Sequence, residues 1–193
     1  MKFLYAIKRY LLDILGDIKV YCFPFFMVYD PSTFRVKGYH TRQALNVLEP
    51  GDIILRKYVH YLDGFFIPGE YSHTGVYVGD GKVVHAISEN VQYIDVIDFL
   101  RCDGFCIMRC KDRNAAKEAV EIAKSLIDAP YDFDFRDNNG RYYCHELGVV
   151  CYKSLNLQKK KAVIMGIDCG ERYLSSTFTE SEHFEKVLEF KVK

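Results

Sequence analysis

The sequence predicts an α+β fold, a small antiparallel sheet packed against a helix that carries a cysteine at its start. Three observations predict it. Short runs with period-two alternation, at 53–55, 73–78 and 82–87, are set apart by turn residues such as Pro50-Gly51-Asp52 and Gly79-Asp80-Gly81. Apolar stripes at helical spacing occupy 3–15, the stretch after Asn114, and 142–155. His73 and His85 stand on the predicted hairpin, and Cys144 lies near the start of the last helix.

Taken in order, Phe3, Leu4, Ile7, Leu11, Ile14 and Leu15 make the stripe of an amphipathic helix, expected to dock on the domain rather than on a membrane surface. The aromatic run 20–29, broken by Pro24, reads as a strand or extended segment, and 31–39 as loop. Residues 1–45 form an N-terminal extension of a single domain spanning 1–193, whose compact part begins near Thr41. A turn at 48–52 precedes the strand 53–55, and 58–71, with Phe65 and Phe66, is an aromatic loop. Strands at 73–78, 82–87 and 91–94, a short helix at 95–100 and a strand at 102–110 follow. Asn114 is the expected cap of a helix with Ala119, Val120, Ala123, Leu126 and Ile127 on one stripe, stopped before Pro130. A polar loop at 132–140 leads to the helix 142–155. Beyond it, Lys159 to Lys161 reads as a solvated turn, 163–167 as a short apolar stretch and 184–192 as an acidic-aromatic segment.

Composition narrows the function classes. With 26 basic and 26 acidic residues, no net field argues for nucleic acid. No apolar stretch approaches the roughly 20 residues that span a bilayer. Seven cysteines cannot all pair within one chain, and no secretory signal is recognisable, so reduced thiols in a cytoplasmic setting are expected. Neither a cofactor nor a metal is expected. Cys102, Cys106 and Cys110 share one strand face by parity without knuckle spacing, and Asp95, Asp98 and Asp103 lack calcium-loop spacing.

The histidines cooperate only if they share a sheet face. A two-residue Asp80-Gly81 turn pairs Gly79 with Lys82 and puts them on opposite faces; a three-residue Gly79-Asp80-Gly81 loop pairs Val78 with Lys82 and puts them on one face. The three-residue loop is predicted, because it leaves Val76, Val78, Val84 and Ala86 as a clean core face. Cys144, Leu147, Gly148, Cys151 and Leu155 recur at helical spacing. Cys144 therefore sits near a helix start, where free backbone N–H groups and the dipole stabilise a thiolate and can hold an oxyanion.

These blocks carry a resemblance. Leu48-Glu-Pro-Gly-Asp-Ile-Ile-Leu55, Ser72-His-Thr-Gly-Val-Tyr-Val-Gly-Asp-Gly81, Ala129-Pro-Tyr-Asp132 and Tyr143-Cys-His-Glu-Leu147 are similar to the permuted papain-like enzymes of the YiiX/YaeF type, within the NlpC-type superfamily. The resemblance covers about residues 48–155 and implies a circularly permuted papain-like fold, with the histidine strand ahead of the cysteine helix. It implies Cys144 as nucleophile, His73 as general base, His85 as the third polar group, and Tyr131 lining the cleft and assisting the oxyanion. A histidine at position 85 is similar to the lecithin retinol acyltransferase branch. Tyr143 stands where wall peptidases often carry aspartate, so recognition of a free stem-peptide amine is not expected.

The expected function is a cysteine hydrolase acting on a peptide or other amide through an acyl-enzyme. The runner-up is lipid acyl transfer or phospholipase activity, with peripheral membrane contact through the first helix and Phe65-Phe66; an inactive peptide- or lipid-binding module is the third reading. Oligomeric state is not legible. Glu89 ranks second to His85 as the orienting group, and His145 is expected at the surface or as a cap.

Overall fold

The computed structural model describes residues 2–16, 18–22, 26–29, 34–59, 61, 66–136 and 139–191. Pro24, His60 and Phe65 lie outside them, and with them the expectation placed on Phe65.

The centre is a six-stranded antiparallel sheet. Its strands are β3 (Ile53–Lys57), β4 (His73–Gly79), β5 (Lys82–Ala86), β6 (Val91–Asp95), β7 (Gly104–Cys110) and β10 (Phe184–Phe190), in the spatial order β10-β7-β3-β4-β5-β6. Alternation along each strand feeds two cores. Ile53, Leu55, Val76, Val78, Val84, Ala86, Cys106 and Met108 face α4 (Arg113–Ser125) and α5 (Cys144–Cys151). Ile54, Val83, Phe105 and Ile107 face the other way, toward α2 (Gly38–Val47) and α3 (Val96–Phe99). Each fully buried aliphatic side chain is worth about 1.5–3 kcal/mol of transfer free energy, so a sheet covered on both faces is the stable solution.

Two small hairpins flank this body: β1 (Ile18–Cys22) with β2 (Phe26–Tyr29), and β8 (Lys160–Ile164) with β9 (Ile167–Arg172). Lys160 and Lys161 thus open a strand, and the tight turn falls at Met165 and Gly166, both at positive φ. The sequence points to a turn at the lysines because charge, not alternation, dominates there.

Three further boundaries differ from the sequence reading. Asp112, not Asn114, caps α4, its carboxylate accepting from the Asn114 and Ala115 N–H groups. Cys102 lies in a bend before β7 and packs in the α2–α3 core, so it does not share a face with Cys106 and Cys110. The helix α2 is invisible as a pattern because it buries only His40 and Ala44.

The turn at 48–52 pins the sheet. Arg109 of β7 donates to both Asp52 oxygens, at 2.9 and 2.7 Å, and to Glu49 at 2.9 Å. Glu49 also accepts from Arg113 at the start of α4. The first helix, α1 (Lys2–Gly16), rests on the 131–134 segment: the Tyr5 hydroxyl donates to the Tyr131 carbonyl, and Lys8 donates to the Phe133 carbonyl and pairs with Asp134. It docks by these groups, while Leu4, Ile7 and Leu11 of the apolar stripe face solvent. The contacts that seat it run through Tyr5 and Lys8 rather than Leu4, Ile7 or Leu11.

Candidate active site

The two histidines share a face, by a different route from the one the sequence suggests. Asp80 and Gly81 form a two-residue turn, both at positive φ (52° and 69°), and Gly79 pairs with Lys82. That turn alone would separate the histidines. The register then shifts between Tyr77 and Gly79, a bulge at Val78 that restores parity, so Tyr77 meets Val83 and Gly75 meets His85. The loop prediction is corrected; the shared face stands. His73 lies diagonal to His85, and its Nε2 is 3.0 Å from His85 Nδ1.

Phe99 of α3 roofs the pair. Its ring centroid is 5.8 Å from that of His73 and 5.6 Å from that of His85, over the bare backbone of Gly75. Arg56 completes the row. It is the direct cross-strand partner of His73, its guanidinium lies 4.4 Å from the Phe99 centroid, and Nη1 donates to the Phe99 carbonyl at 3.3 Å. Burial holds the His73 pKa well below the ordinary imidazole value, helped by the Arg56 charge and then by His85 and His145. Burial, then Arg56, lowers His85 to about 3.

Cys144 is the first residue of α5 and is 4% exposed. Its Sγ lies 3.8 Å from the Ser72 carbonyl oxygen, against the backbone immediately before His73. The thiol's hydrogen bond goes to that carbonyl rather than to either histidine ring among the described residues. Burial pushes the thiol up to about 11, while the backbone N–H groups of Thr74, His145 and Cys144 and the Arg56 charge pull it down. No side chain caps the start of α5, and the Cys144 and His145 N–H groups there lie within hydrogen-bonding range of the Cys144 sulfur. Burial therefore disfavours the charged form of the thiol and of both imidazoles.

The order of these parts, histidine strands before the cysteine helix, is the papain arrangement with its halves exchanged. A family model described as the permuted papain-like amidase enzymes, YaeF/YiiX, C92 family, matches residues 47–188. The chain belongs to that family. It is a cysteine peptidase/amidase-type hydrolase by membership. The crystal structure of YiiX from Escherichia coli O157:H7, described there as a metalloprotein, shares the fold, with a TM-score of 0.60 and 17% identity, over 74% of this chain and 97% of that one. No curated protein matches the chain in sequence.

The metalloprotein description of YiiX raises the question of a metal here. In this permuted amidase, His73 and His85 direct ring nitrogens at each other, and no group of three or more His, Cys, Asp or Glu is arranged to hold an ion among the described residues. Among the described residues the donors present do not fit one.

Tyr131 forms an isolated parallel bridge with Tyr142, two residues before Cys144, and its ring packs tilted against Phe133, with centroids 4.7 Å apart. Tyr143 is a core residue whose hydroxyl accepts the Tyr173 N–H. Glu89 is exposed in the turn between β5 and β6, and His85 stands against His73 instead. His145 is the plainest miss. It is 1% exposed and its Nδ1 meets Thr74 Oγ1 of β4. A surface position follows only if α5 has one packed face, whereas seven of its eight residues are buried. Arg56 and Phe99 were also missed. Parity along β3 puts Arg56 on the Ile54 face, but its adjacency to His73 depends on cross-strand register.

Proposed function

We propose that the chain hydrolyses amides through Cys144 as nucleophile, with His73 as general base and His85 as the group that fixes His73. The observation that carries this is the His73 Nε2–His85 Nδ1 contact at 3.0 Å, with Cys144 at the start of α5 holding its Sγ 3.8 Å from the Ser72 carbonyl, one residue before His73. If His73 Nε2 carries the proton and donates to His85, His73 Nδ1 is left with its lone pair free to take a proton.

The thiol proton passes to His73 as the Cys144 Sγ–carbon bond forms, and the carbonyl electrons move to an oxyanion. The Cys144 N–H, with Tyr131, holds that oxyanion. Collapse of the intermediate expels the amine, which takes the proton from His73. Water then gives a proton to His73, attacks the thioester and releases the acid, and the thiol is restored.

The test is hydrolysis of a panel of amides and esters by native protein and variants. Cys144→Ser and His73→Ala are expected to lose roughly 10²-fold or more in kcat, and His85→Leu to lose kcat more than it raises KM. Undiminished turnover in Cys144→Ser would remove the proposal.

A second reading, a lipid ester substrate, is favoured by the exposed Leu4, Ile7 and Leu11 on α1, with Tyr10 beside them. Co-sedimentation of the native chain with liposomes, lost when the stripe is made polar by Leu4→Ser with Leu11→Ser, supports it; absence of co-sedimentation leaves the amide reading alone. Among the described residues no helix is long and apolar enough to cross a membrane.

A further inference from the structure

We propose that Arg56 is a positioning residue for the histidine pair: its fixed positive charge, one strand from His73, opposes an added proton on the two rings and so sets how basic His73 is. The catalytic half of this statement rests on the reading of His73 as the base; the electrostatic half does not.

Arg56 and His73 are direct partners in the β3–β4 ladder, so their side chains rise side by side on one face. The guanidinium is held by three contacts: the Phe99 ring at 4.4 Å, the Tyr58 ring at 5.1 Å, and the Phe99 carbonyl at 3.3 Å. Phe99 touches both imidazoles as well, so one ring fixes the spacing between the cation and the pair. No carboxylate is paired with Arg56 among the described residues, and its Nε is buried without a partner. Among the described residues its charge is therefore not tied to a carboxylate, which distinguishes it from Arg109, tied to Asp52 and Glu49.

Among the described residues the charged groups that act on the two rings are Arg56 and, on His73, the neighbouring histidines. Phe99 covers the pair from α3, where the nearby Asp98 is exposed and pairs with Arg101. Neutral Gln92 of β6 lies opposite His85. Cys144 and His145 approach from α5, and His145 itself is held neutral by burial, at about 4. Asp103 is turned to the Arg35 and Val59 N–H groups. Arg56 is the leading charge in the environment of both rings, and it acts on the Cys144 thiol in the helpful direction.

The consequence is a base that stays unprotonated well into the acid range. Without Arg56, the hydrogen-bonded pair would hold an added proton more tightly, including the one His73 takes from Cys144; with Arg56 in place that proton is passed on readily to the leaving amine.

The experiment follows the imidazole C–H resonances of His73 and His85 against pH in native protein, Arg56→Gln, Arg56→Met and Arg56→Lys, alongside the acid limb of kcat/KM for amide hydrolysis. In the two neutral variants the first protonation of the pair is expected to move up by about one pH unit, the scale of a unit charge across one strand spacing in a partly solvated site. The acid limb should move with it, and Arg56→Lys should return both to near the native position. A merely structural Arg56 would lower the melting temperature without moving the titration. Unchanged titration in either folded neutral variant overturns the proposal. Titration that moves in a protein without Cys144-dependent hydrolysis upholds the electrostatic role and counts against the proposed function instead.

Discussion

Replacing Gly75 with alanine should damage the site and the core together. A Cβ built on Gly75 would lie 2.4 Å from Val83 Cγ1 and 2.8 Å from two ring carbons of Phe99. Carbon atoms pack at about 3.5–4.0 Å, so Val83 must turn and Phe99 must lift by the better part of an ångström or more. Both residues are fully buried, so neither has free space to retreat into. Overpacking of this kind costs about 1–3 kcal/mol, and the tightness of the Val83 contact puts Gly75→Ala at the upper end. For a chain of this size that is a melting temperature lower by roughly 2–12 °C. Because Phe99 also roofs His73 and His85 and carries Arg56, turnover should fall by more than the loss of folded protein explains. Thermal unfolding of Gly75→Ala, Val83→Ala and the double variant measures the clash directly. The double variant should recover about 1 kcal/mol relative to additivity. A melting temperature within about a degree of native for Gly75→Ala, or strict additivity in the double variant, would refute the packing of Phe99 and Val83 over Gly75.

Three other outcomes are expected. Thr74→Val leaves His145 Nδ1 buried without its partner, at a cost of about 1–3 kcal/mol read as a shift in urea midpoint; an unchanged midpoint would mean that the Thr74–His145 contact is not formed. Asp52→Ala strips Arg109 of its buried carboxylate and should destabilise by about 3 kcal/mol, with Asp52→Asn recovering part of it; equal stability of all three would contradict the pinned turn. His85 and His145 are held near 3 and 4, and His73 also below 6.5, all first by burial. In acid the unfolded chain therefore binds protons that the folded one refuses, so stability is fully present above about pH 6.5 and is lost as pH falls toward 4, at up to about 1.4 kcal/mol per unit for each ring. A melting temperature flat from pH 7 to 5 would be inconsistent with three neutral buried imidazoles.

Much of this was legible because it rests on local periodicity. The alternation in 73–78 and 82–87 identified the hairpin and its core face, and the helical stripe placed Cys144 near the start of a helix. What was not legible depends on register or on depth. Nothing local in Val78 announces a bulge, since the bulge exists only relative to the opposite strand. Arg56 acquires its place beside His73 from the β3–β4 register, and Phe99 comes from a different element altogether. His145 was misread because helix α5 is enclosed on nearly all sides, and a short helix buried all round carries no amphipathic signature. The stripe of the first helix was clear, but a stripe does not say what covers it, and Leu4, Ile7 and Leu11 face solvent.

The central claim is that Cys144 forms the acyl-enzyme with His73 taking its proton. It is tested most directly by incubating native protein, Cys144→Ala and His73→Ala with a mixed panel of amides and esters, quenching in acid, and mapping acyl adducts on each cysteine by tandem mass spectrometry. The account predicts an adduct on Cys144 of the native chain, none in Cys144→Ala, and slow or absent acylation in His73→Ala. An adduct spread over the other cysteines, or one on Cys144 that forms equally fast without His73, would contradict it.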